Sequence, residues 1–310
     1  MPPTKLPESY TSLPFQQIRL SHVPESSITP TPVILITLYR PGKHNAFTDT
    51  MTTELETTFN LLSLDPRVKA IVVTGHGRFF CAGADLEGGA GLSYKNDTAR
   101  THRDGGGRVA LSIFRCTKPV IAAINGSAVG VGITMTLPMN IRIVSEKAKI
   151  GFVFAQRGIV MEATSSYFLP RLIGYSRAMH LVTTGSVFPA TSPHFGGLFS
   201  EVVAPEKVLT RALEVAGDVA KNTSAVSTHL MKDMIWRNPG TAEETHLLDS
   251  KVLLELFEGK DKQEGVDSFL EKREPEFKGN MGENAPSVWP WWQPIETRAM
   301  DELEDFKPKL

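Results

Sequence analysis

Three apolar segments in the first half of the chain constrain its fold more than any other feature. They are "PVILITL" (32–38), "VKAIVVTG" (68–75) and "KPVIAAING" (118–126), and each has the length and β-branched content of a buried strand. Between the first two segments, apolar residues recur at helical spacing over 51–62. The alternation of strands and helices predicts an α/β core with parallel strand pairing.

After about residue 205 the sequence pattern predicts helices without strands between them. Apolar residues at helical spacing predict helices over 208–222, 245–258 and 264–277. The segment "SVWPWWQPIETRAM" (287–300) holds three of the four tryptophans, and we expect it to fold over its own subunit. Residues 1–30 are rich in Pro, Ser and Thr, which is typical of a loose arm or an edge strand.

The charge balance gives no argument for a polyanionic partner. The chain has 33 basic and 34 acidic residues, for a net charge of -1, so neither nucleic acid nor an anionic membrane is predicted. No apolar run approaches the about 18 residues that a membrane span needs. Two cysteines, Cys81 and Cys116, allow one disulfide, but so few cysteines are more typical of a reduced intracellular protein.

The last three residues, Pro308-Lys309-Leu310, differ at one position from the peroxisomal address Ser-Lys-Leu. This ending predicts recognition by the peroxisomal import receptor and a peroxisomal location, with the cytoplasm as the alternative.

Several kinds of active site are absent from the sequence. There is no H-E-x-x-H or paired Cys-x-x-Cys spacing, so no metal site is predicted. There is no phosphate-binding G-x-x-x-x-G-K-[ST] loop and no G-x-S-x-G nucleophile elbow. The glycine-rich segment "GSAVGVG" (126–132) does not satisfy G-x-G-x-x-G, which argues against a dinucleotide site.

Two turns of small residues remain, each after an apolar strand: "FFCAGADL" (79–86) and "INGSAVGVG" (124–132). Small residues let a ligand approach the backbone closely, and backbone N–H groups at a strand-to-helix turn favour negative charge. Two such turns facing one point would form an oxyanion hole. Taken singly, each turn would also suit tight packing of a strand against a helix.

Together with "RPGKHNAFT" (40–48), "RGIVMEATSSYFLPRLIG" (157–174) and "KQEGVDSFLEKREPEFKG" (262–279), these turns resemble the enoyl-CoA hydratase/isomerase, or crotonase, superfamily. The motifs follow the family's order. The resemblance implies a spiral of ββα turns, a C-terminal helical region that forms a homotrimer or hexamer, and an acyl-CoA thioester substrate. No cofactor is implied beyond the coenzyme A of that substrate.

On this resemblance the chain divides into four parts: an N-terminal extension (1–30), a crotonase spiral core (31–205), a helical C-terminal region (206–279) and a C-terminal tail (280–310). The oxyanion amides are expected on Ala84 and Val131. Contacts with the acyl-CoA are expected from Arg40, Lys43, Ala46, Ala82, Asp85, Leu86, Gly130 and Phe154. The glycine-rich stretch 87–110 is expected to line the acyl pocket.

The acid/base group distinguishes the subclasses. Hydratases of the family use two glutamates, and here the matching positions hold Thr134 and Phe154. Glu162 instead matches the acid/base position of the Δ3,Δ2-enoyl-CoA isomerases. We therefore predict an enoyl-CoA isomerase with Glu162 as its single base, and we expect Phe154, Val160 and Met161 to exclude water and raise the pKa of its carboxyl.

Other interpretations stay open. One is an enoyl-CoA hydratase, or another acyl-CoA lyase, with Glu162 as its only acid/base group. Another is a non-catalytic acyl-CoA-binding relative. Glu162 would then be a first-turn carboxylate of the following helix, where an acid suits the helix dipole.

Overall fold

The computed structural model describes residues 5–87 and 97–297. The strands of the described residues are β1 (Ile18–Val23), β2 (Val33–Leu38), β3 (Ala70–Gly75), β4 (Phe79–Cys81), β5 (Val120–Ile124), β6 (Ser127–Val129), β7 (Ile141–Ser145), β8 (Lys149–Gly151), β9 (Val187–Pro189) and β10 (Glu201–Val203). They form a six-stranded sheet in the order β1-β2-β3-β5-β7-β10 and a four-stranded sheet in the order β4-β6-β8-β9.

The large sheet confirms the predicted parallel core. Strands β2, β3, β5, β7 and β10 run parallel to one another. All residues of β3 and β5 are buried, as expected where both faces of a parallel sheet are covered. Strand β1 pairs antiparallel with β2, with Ile18 opposite Leu38. For this segment the edge-strand expectation is therefore confirmed and the loose arm is wrong.

Helices cover the sheets and form the C-terminal region. Those of the described residues are α1 (Asp49–Leu64), α2 (Gly105–Arg115), α3 (Val131–Thr134), α4 (Ser165–Ile173), α5 (Tyr175–Thr184), α6 (Val208–Asn222), α7 (Ala225–Trp236), α8 (Ala242–Phe257), α9 (Lys260–Glu271) and α10 (Met281–Asn284). None of these helices has the length and apolarity that a membrane crossing requires.

The predicted helices are confirmed at α1, α6 and α8. The helix predicted over 264–277 is found as α9 (Lys260–Glu271), and the part after Glu271 is wrong because Lys272 takes a left-handed conformation that ends the helix. Helix α7 was missed. The buried face of α7 mixes apolar Val226 and Leu230 with polar His229, Lys232 and Asp233, which hides its apolar periodicity. Cys81 and Cys116 are both free and buried, so the disulfide that two cysteines would allow is not formed.

The C-terminal tail packs on its own chain as far as it is described. The indole N–H of Trp289 donates to Asp233 (3.0 Å), and that of Trp291 donates to the carbonyl of Arg237 (2.9 Å). The Arg237 guanidinium lies 4.0 Å from the ring centre of Trp292 and 4.5 Å from that of Phe114 on α2. The tail therefore contacts both the core and α7. The C-terminal Pro308-Lys309-Leu310 and residues 88–96 of the expected acyl-pocket stretch lie outside the described residues.

Candidate active site

The two turns of small residues lie side by side because β4 and β6 are parallel neighbours. Gly83 and Gly130 have φ of 96° and 56°, a backbone conformation that favours glycine. A Cβ built on Gly83 would come 3.0 Å from the carbonyl oxygen of Val129, and one on Gly130 would come 3.9 Å from the Cα of Gly83. The two turns are thus in direct contact, as an oxyanion hole built from both requires.

The amides of Ala84 and Val131 are free to bind a ligand. Within residues 5–87 and 97–297, no hydrogen bond joins either N–H to another protein group. Val131 is the first residue of α3, where a helix leaves its N–H groups unsatisfied. The next amide along the first turn is used, since Asp85 N–H donates to the carbonyl of Phe47 (2.9 Å). The turn is held in place, while the Ala84 amide has no hydrogen-bond partner among the described residues.

A cavity of about 400 Å³ is lined by Ala84, Val131 and Glu162 together. Of the predicted substrate contacts, Ala82, Leu86, Gly130 and Phe154 line this cavity. Its other described lining residues are Phe47, Thr48, Asp49, Gly83, Asp104, Gly105, Gly106, Val129, Val153, Arg157 and Ile159.

Four predicted contacts do not line the cavity: Arg40, Lys43, Ala46 and Asp85. Arg40 donates to Asp85 (2.8 Å) and to the carbonyl of Ala46 (2.6 Å), and its hydrogen bond lowers the pKa of the Asp85 carboxyl. This pair ties the 40–46 loop to the first turn. Lys43 is exposed and pairs with Glu87. Their contact with coenzyme A outside the cavity stays a prediction.

The Glu162 carboxyl lies in a desolvated position, and burial raises its pKa to about 7. The Thr134 hydroxyl donates to Oε1 at 2.6 Å, which lowers the pKa, while the nearby charge of Asp104 raises it. A carboxyl with a pKa near neutrality exchanges protons readily at physiological pH.

The backbone after Glu162 is strained, and a hydrogen bond to Asp104 of another segment holds it in place. Ala163 and Thr164 have φ of 54° and 52°, in the left-handed region. Such residues cost about 1–3 kcal/mol each and persist where the surroundings determine them. Here Asp104, the N-cap of α2, accepts hydrogen bonds from Ala163 N–H (3.3 Å) and Gly107 N–H (2.5 Å). Because α4 begins only at Ser165, the interpretation of Glu162 as a first-turn carboxylate is wrong.

Helix α2 also forms one side of the Glu162 site. A Cβ built on Gly106 would lie 1.6 Å from Glu162 Oε2, so the carboxyl occupies the space that this glycine leaves. The sequence analysis placed Asp104 and Gly106 in the stretch 87–110 expected to line the acyl pocket, and both line the cavity, but it gave neither residue a role beside Glu162. The signal was present, since Asp is a preferred N-cap before a helix.

The expected exclusion of water is only partly met. Phe154 is buried on the cavity wall and Met161 is half-buried, but the side chain of Val160 is 85% exposed in this chain. The expectation for Val160 is therefore wrong, because its side chain faces solvent. No group of three His, Cys, Asp or Glu side chains in the described part of the chain could hold a metal ion.

Comparison with known proteins identifies the family. A family profile described as enoyl-CoA hydratase/isomerase matches residues 29–280. The chain belongs to the enoyl-CoA hydratase/isomerase family. The solved structure of an enoyl-CoA hydratase from Bacillus anthracis matches with a TM-score of 0.75 and 30% identity, over 86% of this chain and all of that one. The predicted crotonase fold is thereby confirmed.

Two curated relatives are named as hydratases. The chain is 52% identical to the enoyl-CoA hydratase AFT3-1 of Alternaria alternata over 254 residues, which is 82% of this chain and 85% of that protein. It is 31% identical to the mevalonyl-coenzyme A hydratase sidH of Aspergillus fumigatus, over 80% of this chain and 93% of that one. This chain is accordingly an enzyme of the enoyl-CoA hydratase/isomerase family.

The pKa of Glu162 predicts the pH dependence of turnover. If Glu162 accepts a proton in the first step, kcat/KM should rise with pH and level off, with a midpoint near 7, because only the ionised carboxylate is a base. Initial rates on an enoyl-CoA substrate between pH 5 and 9 would measure this midpoint. A flat profile across pH 6–8 would contradict the role of Glu162.

Proposed function

We propose that this enzyme hydrates an enoyl-CoA thioester, with Glu162 as its single acid/base group and the Ala84 and Val131 amides as its oxyanion hole. The observation that carries the proposal is the meeting of three features on one cavity. These are two unpaired backbone N–H groups and one carboxyl whose pKa is raised to about 7. The names of the relatives favour hydration over the isomerisation that sequence reasoning predicted.

One carboxylate is sufficient for the proton balance of hydration. Ionised Glu162 takes a proton from water while the water oxygen bonds to Cβ of the substrate. The electrons of the C=C bond move toward the thioester oxygen, where the two amides stabilise the enolate. Protonated Glu162 then returns the proton to Cα. One water is added, and Glu162 regains its starting state.

Isomerisation is the second candidate, and two residues favour it. Thr134 and Phe154 stand where the two glutamates of hydratases are expected, and Phe154 is an apolar wall of the cavity. In this reaction Glu162 would take a proton from Cα of a 3-enoyl-CoA and return it to Cγ, through a dienolate whose oxygen the same two amides would stabilise. The exposed Val160 leaves less shielding from water than this reaction would prefer.

Isotope incorporation separates these functions. We expect a 2-enoyl-CoA incubated in ¹⁸O-labelled water to give a 3-hydroxyacyl-CoA that carries one ¹⁸O atom, as measured by mass spectrometry. A parallel incubation of a 3-enoyl-CoA in deuterated water tests isomerisation. Conversion of the 3-enoyl-CoA with no labelled hydroxyl product would replace hydration by isomerisation. Binding of both thioesters without turnover would leave the non-catalytic interpretation.

The proposal also covers the oligomeric state of the enzyme, its cofactor requirement and its cellular location. Large apolar side chains of α8 and α9 are exposed in the single chain, among them Leu254 (66%) and Phe269 (80%), which supports self-association into a homotrimer or hexamer. We expect catalysis to need no cofactor beyond the substrate's coenzyme A. Peroxisomal import through Pro308-Lys309-Leu310 stays a prediction.

A further inference from the structure

Thr134 is buried and lies between two oxygen atoms of the candidate site. Its hydroxyl oxygen is 2.6 Å from Glu162 Oε1 and 3.3 Å from the carbonyl oxygen of Gly130. It is fully buried, as the last residue of α3. The same short helix begins with Val131, so Thr134 is held in a fixed relation to one amide of the oxyanion hole.

A hydroxyl can serve both protonation states of the neighbouring carboxyl. It has one proton to donate and two lone pairs to accept with. When Glu162 is ionised, Thr134 donates to Oε1. When Glu162 carries the proton, Glu162 donates to Thr134 Oγ1, and the threonine proton turns to the carbonyl of Gly130. Each state is satisfied without movement of either side chain.

The other charged and titratable groups around Glu162 make no hydrogen bond to its carboxyl among the described residues. Asp49 at the start of α1, Asp104 at the cap of α2 and Arg157 after β8 line the same cavity, and Cys81 approaches from β4. Burial raises the pKa of the Cys81 thiol to about 12, so it stays neutral near pH 7. Among the residues that the structure describes, Thr134 alone hydrogen-bonds to the Glu162 carboxyl.

We infer that Thr134 is a positioning residue that holds the Glu162 carboxyl in one place while it accepts and then returns a proton. This inference rests on the proposed acid/base role of Glu162. It gives position 134 a function that does not require the glutamate expected there in hydratases.

The test compares Thr134→Val, which removes the hydroxyl at similar size, with Thr134→Ser, which keeps it. We expect kcat of Thr134→Val to fall about tenfold or more, the scale of losing one hydrogen bond to a charged group, with KM changed less than about twofold. The midpoint of its pH profile should move upward, because the charge-assisted hydrogen bond that Thr134 makes with ionised Glu162 is stronger than the one it makes with the protonated form. Thr134→Ser should restore both values.

A substrate-free readout separates this inference from the proposed function. Titration of the ¹³C-labelled Glu162 carboxyl by NMR should show a higher pKa in Thr134→Val than in the wild-type protein, whether or not turnover is observed. Unchanged kcat and an unchanged carboxyl pKa in a folded Thr134→Val would overturn the role of Thr134. If Thr134→Val does not fold, Thr134→Ala provides the same comparison. Loss of activity in Glu162→Gln together with a normal Thr134→Val would leave the proposed function intact.

Discussion

Replacement of Glu162 by Gln is expected to lower kcat by about 100- to 10,000-fold, the usual contribution of a positioned acid/base group. Gln keeps the size and the hydrogen bond from Thr134 but cannot accept the proton. The decisive measurement is kcat of both proteins at pH 8, where wild-type Glu162 is largely ionised. A loss smaller than about threefold would mean that another group moves the proton.

The stability of the same variant provides its control. Because the pKa of Glu162 is raised in the folded state, the folded protein binds this proton more tightly than the unfolded chain does. This contribution to the free energy of unfolding is fully present below the unfolded pKa and is lost as pH rises through about 7. Urea unfolding at pH 8 should therefore find Glu162→Gln at least as stable as the wild type. A variant that is inactive because it unfolds would show the opposite.

Gly106→Ala is expected to lower kcat by about 100-fold while the fold is kept, since displacement of a reacting group by about 1 Å can cost that much. The added Cβ would overlap Glu162 Oε2, and the flexible end of that side chain must move. The helix itself should tolerate alanine, which has the higher helix propensity. Steady-state rates and thermal unfolding together measure both effects.

The matched control for this substitution is Gly217→Ala in α6, where an added Cβ meets nothing within 4 Å. It should leave kcat unchanged and raise the thermal midpoint slightly. Full activity in Gly106→Ala would show that the carboxyl position is not critical. Equal losses of activity in both variants would point to a general effect of the substitution.

The parallel core was predictable because its strands are continuous apolar runs. Helix α7 was not predictable in this way, because polar side chains on its buried face interrupt the apolar periodicity.

At the candidate site, the resemblance of the motifs indicated Ala84, Val131 and Glu162, whereas the partners of Glu162 come from elements distant in sequence. Asp104 and Gly106 lie more than 50 residues away, and only the packing of α2 brings them to the carboxyl.

In the proposed reaction, backbone amides stabilise the developing charge and one side chain moves the proton. The groups expected to polarise the thioester are main-chain amides set by the pairing of β4 with β6, and no substitution other than proline removes their N–H groups. The group proposed to move the proton, Glu162, is a single side chain on a separate loop. Natural selection can therefore relocate or replace the acid/base group and change the reaction, while the means of stabilising the enolate is inherited with the sheet.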